Sequence, residues 1–329
     1  MDDRGLSPPL RPPPAADAGT VIVTVTPNPS VDRTLVIPPL VRGELIRVRS
    51  MSSEAGGKGI NVSAALAAQA YATLAVVPLS RPSSAVFRAL LREATPIEAV
   101  TIAGELRTNL SLVEEDGTVT KVNEPGPILT DREADALLDR VAAHAASATW
   151  VVGSGSLPPG AGPDFYARLV SRVGANAQVA IDADGDALRA AVAARPAVVK
   201  PNRAELSGLA GRSLATLGEV IEAARSLVAG GVGAVLVSLG PDGAAYVDAS
   251  GATHAEALLD EVQNTVGAGD ALLAGFLAAG ASADGLGEAV AWSLAACRSP
   301  GTRIGPVLAA DRESVTVHSS ADAERRLAA

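Results

Sequence analysis

Cysteine is almost absent from this chain, and the one residue present, Cys297, cannot form an internal disulfide or a cysteine-rich zinc site. A disulfide framework of the secreted type is therefore excluded, and a reducing cytoplasm is the expected location. Histidine is also scarce, with three residues in the chain, which disfavours hydrolase chemistry of the Ser-His-Asp kind.

Long basic runs and long apolar runs are missing too. The formal net charge is −9, which argues against a general nucleic-acid or anionic-membrane surface, so any bound anion must be held by local groups. The most apolar run, residues 271–283, is too short to span a bilayer. Residues 1–19 are rich in Pro, Asp and Ala, lack the pattern of a signal peptide, and are expected to form a disordered tail. We expect neither a nucleic-acid nor a membrane partner.

What the sequence does contain is an alternation of two kinds of segment. Short runs rich in Val and Ile alternate with helical stretches rich in Ala and Leu, beginning at 21–25, 60–70, 74–79 and 85–93 and resuming after residue 130. This pattern predicts an α/β fold, with a doubly wound, mostly parallel sheet that has helices on both faces.

Two segments, 34–51 and 107–122, instead show strand-like alternation with few helix formers. The second contains Asp116-Gly117, a strong hairpin signal. They predict a small separate β-sheet that acts as a lid over the carboxyl edge of the main sheet, where such folds place their ligands. We expect one domain over 20–318, a C-terminal tail over 319–329, and a homodimer as a candidate assembly, because an exposed lid sheet can pair between subunits.

The segment from Asn264 to Asp270 places a glycine-rich turn directly before an apolar helical run. The amides of Gly267, Ala268, Gly269 and Asp270 can then point at one spot, and a helix N-terminus suits a phosphoryl group that gains negative charge in its transition state. Asp270 would lie in the first turn, where it could take a proton from an acceptor hydroxyl. The alternative is that Asp270 only caps the helix.

Other glycine-rich mechanisms fail on spacing. A Walker-type phosphate loop ending at Gly57-Lys58 would need Gly where Ser52 stands and Ser or Thr where Gly59 stands. A dinucleotide fingerprint would need Gly at Leu272. A nucleophile elbow is not matched by residues 153–160, so hydrolase chemistry is disfavoured again.

Two further segments join a strand to a helix. In the first, Gly56 and Gly57 allow a ligand to approach the backbone closely, and Asn61 follows one turn later, so sugar hydroxyls could be bound there. The alternative is a simple glycine turn with an exposed lysine. In the second, Asn202 and Glu205 could orient water and Mg²⁺ at a triphosphate, or could only cap a helix.

Together these motifs resemble the ribokinase-like (PfkB) carbohydrate kinases over about residues 20 to 317. Six segments, 24–32, 56–61, 107–109, 121–126, 154–160 and 200–205, resemble the phosphofructokinase branch, of the 1-phosphofructokinase or tagatose-6-phosphate kinase type. The resemblance implies ATP-dependent phosphorylation of fructose 1-phosphate to fructose 1,6-bisphosphate, with tagatose 6-phosphate and fructose 6-phosphate as open alternatives. Intact Asp270 disfavours a catalytically silent sugar-phosphate binding protein, and Arg107 with Lys121 disfavours a nucleoside or unphosphorylated-sugar kinase.

The resemblance also implies roles for individual residues. It assigns phosphoryl transfer to Gly267, Ala268, Gly269 and the base Asp270. The hydroxyl groups of the acceptor would be bound by Asp32, Gly56, Gly57 and Asn61. Its phosphate would be bound by Arg107, Lys121 and Ser154. The remaining substrate-binding residues would be Lys58 and Asn109. ATP would be bound by Lys200, Asn202, Glu205, Ser238, Gly240, Gly243 and Thr265, and Glu205 would bind Mg²⁺ through water.

Three features of the sequence qualify the resemblance. Ser80-Arg81 stands where the family usually has a glycine pair, so that loop is expected to differ. An uncharged Asn264 is usual in the phosphofructokinase branch, whereas many sugar kinases have Asp there. Residues 297–303 resemble a loop at which some members bind K⁺, which makes K⁺ a further candidate ligand.

Overall fold

The computed structural model describes residues 21–91, 95–257, 265–299, 305–318 and 320–328. Its strands are β1 (Val21–Val25), β2 (Ser30–Ile37), β3 (Ser50–Gly56), β4 (Ala72–Leu79), β5 (Ile97–Thr101), β6 (Arg107–Glu114), β7 (Val119–Asn123), β8 (Trp150–Ser154), β9 (Gln178–Asp182), β10 (Val198–Val199), β11 (Ala234–Ser238), β12 (Ala244–Asp248), β13 (Ala252–Ala257) and β14 (Val315–His318). Its helices are α1 (Lys58–Ala68), α2 (Arg81–Leu90), α3 (Asp131–Ala145), α4 (Phe165–Val173), α5 (Gly185–Ala193), α6 (Arg203–Ala210), α7 (Leu217–Ala229), α8 (Ala268–Ala278), α9 (Leu286–Cys297) and α10 (Ala309–Glu313).

Ten strands form the main sheet in the order β14-β13-β12-β11-β10-β9-β8-β1-β4-β5. The seven strands from β11 to β5 pair in parallel, and β12, β13 and β14 add an antiparallel edge. The predicted mostly parallel sheet is confirmed. At β1 the strand order reverses, with β4 on one side and β8 on the other, and such a switch point opens a crevice at the carboxyl ends of the strands.

Alternate residues of the central strands point into two separate cores. In β1, Val23 packs into a cluster with α3 to α7, whereas Ile22 packs into a second cluster with α1, α8 and α9. Because both faces are covered, the strand sequences are almost continuously apolar and do not alternate. Helix α8 lies so deep in the second cluster that nearly its whole circumference is apolar, apart from Asp270 at its beginning.

Four strands form the small separate sheet, in the order β3-β2-β6-β7, and this sheet was also predicted. The hairpin between β6 and β7 turns at Asp116-Gly117, where Gly117 has a φ of +87°. The strand bounds differ from the expected ranges: β2 begins at Ser30, β3 continues to Gly56, and the residues between β2 and β3 are not strand. Strands β2 and β6 pair in parallel although they are far apart in sequence.

The C-terminal segment 320–328 packs against α7. The amide of Leu217 donates to the carbonyl oxygen of Arg325 (2.9 Å), the amide of Leu327 donates to the carbonyl of Ala215 (3.0 Å), and Leu327 packs against the first core cluster. These contacts hold the end of the described chain on the domain. The N-terminal tail predicted over 1–19 lies outside the described residues.

Candidate active site

Neighbouring parallel strands bring polar side chains to the carboxyl edge of the main sheet. β8 ends at Ser154, β9 ends at Asp182, and Lys200 directly follows β10; all three residues are buried. Helices α1 and α8 begin at the same edge, because the side chain of Asn61 in the first turn of α1 reaches Asp270 in the first turn of α8. The predicted sugar turn and the predicted anion turn are therefore brought together.

The glycine turn before α8 is built as a helix N-terminus without a side-chain cap. Gly267 occupies the cap position with a φ of +83°, a left-handed conformation that favours glycine. The amide of Ala268 is used internally, since it donates to the carbonyl of Thr265 (3.3 Å). The next two amides, of Gly269 and Asp270, belong to the first turn and have no intrahelical acceptor. Of the four amides predicted to converge, these two are placed best to bind an anion.

Asp270 is held in an environment that favours a base. Its side chain is buried, and Asn61 Nδ2 donates to Asp270 Oδ2 at 2.8 Å. Burial and the repulsion of Asp182 raise the pKa of Asp270 to about 6, against the attraction of two lysines. A carboxylate of this pKa is largely ionised at neutral pH yet accepts a proton more readily than an ordinary aspartate.

A buried carboxylate, Asp182, joins two of the predicted lysines. Lys58 Nζ donates to Asp182 Oδ1 at 2.9 Å, and Lys200 Nζ lies 3.2 Å from Asp182 Oδ2. Burial alone would raise the pKa of Asp182, but the two lysines outweigh it and lower that pKa. Conversely, burial would lower the pKa of Lys58, but Asp182 and Asp270 outweigh it and raise that pKa. Lys58 is therefore held as a cation at the sheet edge, and Lys200 lies against the other oxygen of the same carboxylate.

The position of Lys200 connects this ion-pair group to the anion turn. A Cβ added at Gly269 would lie 3.5 Å from Lys200 Nζ, so the ammonium group lies beside Gly269 of the turn. Sequence reasoning missed Asp182, the residue that places these cations. The available signal was one acidic side chain at the end of an otherwise apolar strand, Gln178–Asp182.

On the acceptor side, Asp32 of β2 is oriented by two neutral donors. Ser30 Oγ donates to Asp32 Oδ1 at 2.7 Å, and Asn109 Nδ2 donates to the same oxygen at 3.0 Å. Gly56 lies opposite, and a Cβ at that position would overlap the Asp32 carboxylate. Gly57 follows with a φ of +131° and caps α1. Gly56 thus lets the backbone approach Asp32, whereas a Cβ at Gly57 would overlap the side chain of Thr26.

The register of the lid sheet separates its two faces. Asp32 of β2 pairs with Asn109 of β6, which in turn pairs with Asn123 of β7. Ser111, two residues after Asn109, pairs with Lys121. Because residues two apart in a strand point to the same face, these polar side chains share one face of the lid sheet. Arg107 belongs to the same face. Its Nη1 donates to the carbonyl of Glu124 (3.2 Å), and burial lowers its pKa despite the nearby carboxylates of Asp32 and Glu124. The opposite face carries the apolar side chains Leu35, Met51, Leu110, Leu112 and Val122.

Three of the residues predicted for the nucleotide, Asn202, Glu205 and Ser238, contact one another. Asn202 and Glu205 form a capping box at the start of α6, and the predicted alternative, a capped helix start, is present. Glu205 is close enough to contribute to the raised pKa of Lys58. Ser238 forms a bridge with Asn202. Gly240 and Gly243 both have positive φ, and a side chain at Gly243 would overlap the carbonyl of Ala255, so close packing alone requires glycine there.

The loop that replaces the expected glycine pair is a helix cap. Ser80 Oγ accepts from the amide of Ser83 at the start of α2, and Ser83 Oγ donates to Glu105 Oε2 at 2.8 Å. Arg81 is exposed at this helix start. Asn264 and residues 300–303 lie outside the described residues, so the geometry says nothing of the Asn264 interpretation or of the K⁺ loop.

Unsatisfied polar atoms mark the space between lid and sheet. Apart from Asp182 Oδ2, which Lys200 approaches, six buried side-chain atoms among the described residues have no hydrogen-bond partner, and five of them belong to this edge or to the lid: Thr26 Oγ1, Asn28 Oδ1, Arg107 Nε, Asn109 Oδ1 and Ser154 Oγ. Buried polar atoms in folded proteins are nearly always hydrogen-bonded. Their concentration here indicates a site that a polar ligand completes.

A large concavity elsewhere does not contain these groups. A cavity of about 940 Å³ is lined by the amino-terminal ends of β8 to β11, including Trp150, Gln178, Val198 and Ala234. It lies at the opposite edge of the sheet from Asp270. Because ligands of doubly wound sheets bind at the carboxyl edge, the polar site described above is the better candidate.

Comparison with known proteins agrees with this geometry. Residues 25–302 match the pfkB family carbohydrate kinases. The chain belongs to this family. A 1-phosphofructokinase from Rhodobacter capsulatus is 38% identical over 307 residues, which cover 90% of this chain and 97% of the relative. A 1-phosphofructokinase from Escherichia coli K12 is 34% identical over 258 residues, which cover 78% of this chain and 83% of the relative.

The fold of this carbohydrate kinase is also that of a solved relative. The crystal structure of phosphofructokinase-2 from Escherichia coli in complex with potassium has a TM-score of 0.82 and 32% identity, over 89% of this chain and 97% of that one. The predicted ribokinase-like fold and the predicted carbohydrate kinase family are confirmed. Among the residues that the structure describes, no helix has both the length and the apolar character needed to cross a bilayer.

Proposed function

We propose that this kinase transfers the γ-phosphoryl group of ATP to fructose 1-phosphate and forms fructose 1,6-bisphosphate. The observation that carries the proposal is Asp270, a buried carboxylate with a raised pKa of about 6, in the first turn of α8 beside the amide of Gly269 and the ammonium of Lys200. Two relatives that cover most of this chain are named 1-phosphofructokinase, which supports this acceptor.

The acceptor would lie between the polar lid face and the start of α1. Asp32, Asn109 and Asn61, with the backbone at Gly56 and Gly57, would bind the sugar hydroxyls. Arg107 and Lys121 from the lid and Ser154 from β8 would bind the phosphate already on the sugar. This division suits the charges, because an acidic protein needs local cations for a phosphate, and Arg107 Nε and Ser154 Oγ are buried without partners.

ATP would enter from the side of α6 and β11. We assign Lys200 and the Gly267–Asp270 turn to the transferred phosphoryl group, and Asn202, Ser238, Gly240, Gly243 and Thr265 to the rest of the nucleotide. Glu205 would hold Mg²⁺ through water, and bound Mg²⁺ offsets phosphate charge. K⁺ stays a further candidate ligand, because the phosphofructokinase-2 of Escherichia coli, which shares this fold, was solved in complex with potassium.

The transfer step follows from this placement. Asp270 accepts the proton of the acceptor hydroxyl while that oxygen forms its bond to the γ-phosphorus. The bond between this phosphorus and the β–γ bridging oxygen breaks, and ADP leaves. The amides of Gly269 and Asp270, with Lys58 and Lys200 held by Asp182, stabilise the charge that spreads over the equatorial oxygens.

A second candidate acceptor is fructose 6-phosphate, because the solved structure with a TM-score of 0.82 is a phosphofructokinase-2. ADP formation should be measured with fructose 1-phosphate, fructose 6-phosphate, tagatose 6-phosphate and free fructose. We expect the highest kcat/KM with fructose 1-phosphate. A higher value with another sugar phosphate would replace the acceptor, and a preference for free fructose would overturn the phosphate-binding role of the lid.

We propose further that two subunits pair through the apolar face of the lid sheet, in a reducing cytoplasm. Met51 and Val122 on that face are 61% and 52% exposed, which is unusual for a stripe of apolar side chains. Met51→Glu should convert a dimer into a monomer in sedimentation experiments. Ser52→Glu, on the opposite face of the same strand, is the matched control; dissociation of both variants, or of neither, would contradict this interface.

A further inference from the structure

Two of the three histidines in the chain meet at the antiparallel edge of the main sheet, away from the site described above. His254 of β13 pairs directly with His318 of β14, and their rings stack with centroids 5.5 Å apart. Glu256 lies two residues after His254, so it shares that face of the sheet. The ligand atoms of these three side chains lie within 4.8 Å of one another, a group that we call the edge cluster.

The contacts around the edge cluster orient its ligand atoms. His254 Nε2 lies 2.8 Å from the carbonyl oxygen of Asp242, and because a carbonyl only accepts, Nε2 is the donor. In the neutral ring, Nδ1 then carries the lone pair. Histidines that bind metal usually donate their second nitrogen in this way to a carbonyl or carboxylate.

The carboxylate of Glu256 is divided between two neighbours. Oε1 lies 2.9 Å from His318 Nε2, and Oε2 lies 2.5 Å from Arg325 Nη2. The guanidinium therefore orients Glu256 through one oxygen and leaves the other directed at the histidines. Arg325 also lies 3.3 Å from Asp242 Oδ1, so two carboxylates surround one guanidinium.

We propose that the edge cluster is a binding site for a divalent transition-metal ion of the zinc type, with His254 Nδ1, Glu256 Oε1 and the His318 ring as ligands. Two imidazoles and one carboxylate suit Zn²⁺, which binds such ligands in tetrahedral sites, whereas Mg²⁺ prefers oxygen ligands alone. The two carboxylates of Asp242 and Glu256 share one guanidinium, an arrangement that favours a cation nearby. Access is open, because the side chain of His318 is 38% exposed.

The competing explanation is that the cluster only anchors the C-terminal segment. Arg325 contacts both Glu256 and Asp242, and the amide of Ala328 donates to Asp242 Oδ2 at 2.7 Å. A purely structural anchor of this kind requires no ion. The two explanations differ in one measurable property, which is stoichiometric metal binding that depends on His318.

The test uses the full chain without an affinity tag and without nucleotide. Co²⁺ is added while its visible absorption is recorded, and Zn²⁺ is then added in competition. We expect one equivalent of Co²⁺ to bind with the intensified absorption of a four- or five-coordinate site, and Zn²⁺ to displace it. His318→Ala should weaken Co²⁺ binding at least about tenfold, since loss of outer-shell contacts alone costs about 10–100-fold.

The third histidine supplies the matched control. His144 forms a pair with Glu98 (2.5 Å) that resembles the pair of His318 with Glu256, but it has no second histidine beside it. His144→Ala should bind Co²⁺ as the unmodified chain does. Failure of the unmodified chain to bind one equivalent, or equal binding by His318→Ala, would overturn the proposal. An unchanged circular dichroism spectrum of His318→Ala shows that the variant is folded, and Glu256→Gln, which should also weaken binding, provides a second check.

Discussion

The pH dependence of turnover tests Asp270 as the base. Burial and the repulsion of Asp182 raise its pKa to about 6, and only the ionised form can accept the acceptor's proton. With this pKa, the ionised fraction falls from about nine-tenths at pH 7 to about one-tenth at pH 5. We therefore expect kcat/KM for the acceptor, which reports the base of the free enzyme, to fall about tenfold over this interval through Asp270 alone. An ordinary aspartate would still be about nine-tenths ionised at pH 5.

The assay must separate Asp270 from the acceptor, because the phosphate of a sugar phosphate also titrates near pH 6. ADP release is followed from pH 5 to pH 8 in the unmodified enzyme and in Asp270→Asn. The variant should lose about 10²–10⁴-fold in kcat while it keeps its affinity for the sugar phosphate. The ratio of the unmodified enzyme's kcat/KM to that of the variant, in which the acceptor's own titration cancels, should fall about tenfold from pH 7 to pH 5. A flat profile in the unmodified enzyme, or the same decline in the variant, would refute the assignment.

Three further predictions concern the lid, the glycine at the start of α1 and the stability of the fold. Arg107→Ala should raise the KM for the acceptor at least about tenfold, since a hydrogen bond to a charged group contributes about 1.5–3 kcal/mol; Arg33→Ala, on the opposite lid face, should change it less than about twofold. Gly56→Ala should lower kcat/KM for the acceptor at least about tenfold, because the methyl group displaces Asp32 from its two donors and from the hydroxyls that we assign to it. At pH 8, the free energy of unfolding of Asp270→Asn in urea titrations should exceed that of the unmodified enzyme by up to about 3 kcal/mol. Because the folded-state pKa of Asp270 is raised, the folded enzyme loses stability as the pH rises from about 4 through about 6. The variant has no carboxyl group at this position and does not lose this stability. The difference in unfolding free energy between the two proteins should therefore vanish near pH 4. Equal KM values for the two arginine variants, an unaffected Gly56 variant, or a pH-independent stability difference would each contradict the corresponding argument.

Local signals in the sequence were sufficient for the elements of the site. The glycine turn predicted a helix N-terminus, and α8 begins at Ala268, directly after Gly267. The dipeptide Asp116-Gly117 predicted the hairpin of β6 and β7, because its turn is formed by adjacent residues. Each of these features depends on a few neighbouring residues, so their chemistry is visible without the fold.

Long-range pairing was not accessible in the same way. The parallel pairing of β2 with β6 joins segments that are distant in sequence, and it decides which side chains share the polar face of the lid. The role of Asp182 depends on two lysines that reach it from α1 and from the end of β10. A single acidic residue after an apolar strand gives no indication of its partners, because that information lies in the order of the strands.

The period of the lid strands would connect the proposed substrate binding to the proposed assembly. Successive residues of a strand point to opposite faces, so Asp32 and Asn109 face the site only if Leu35 and Leu110 face away from it. A shift of one residue in the pairing of β2 with β6 would turn the apolar side chains toward the substrate and the polar ones toward the partner. Burial of the apolar face against a second subunit would therefore penalise the wrong register, and the proposed dimer would stabilise the register that places Asp32 and Arg107 for the acceptor.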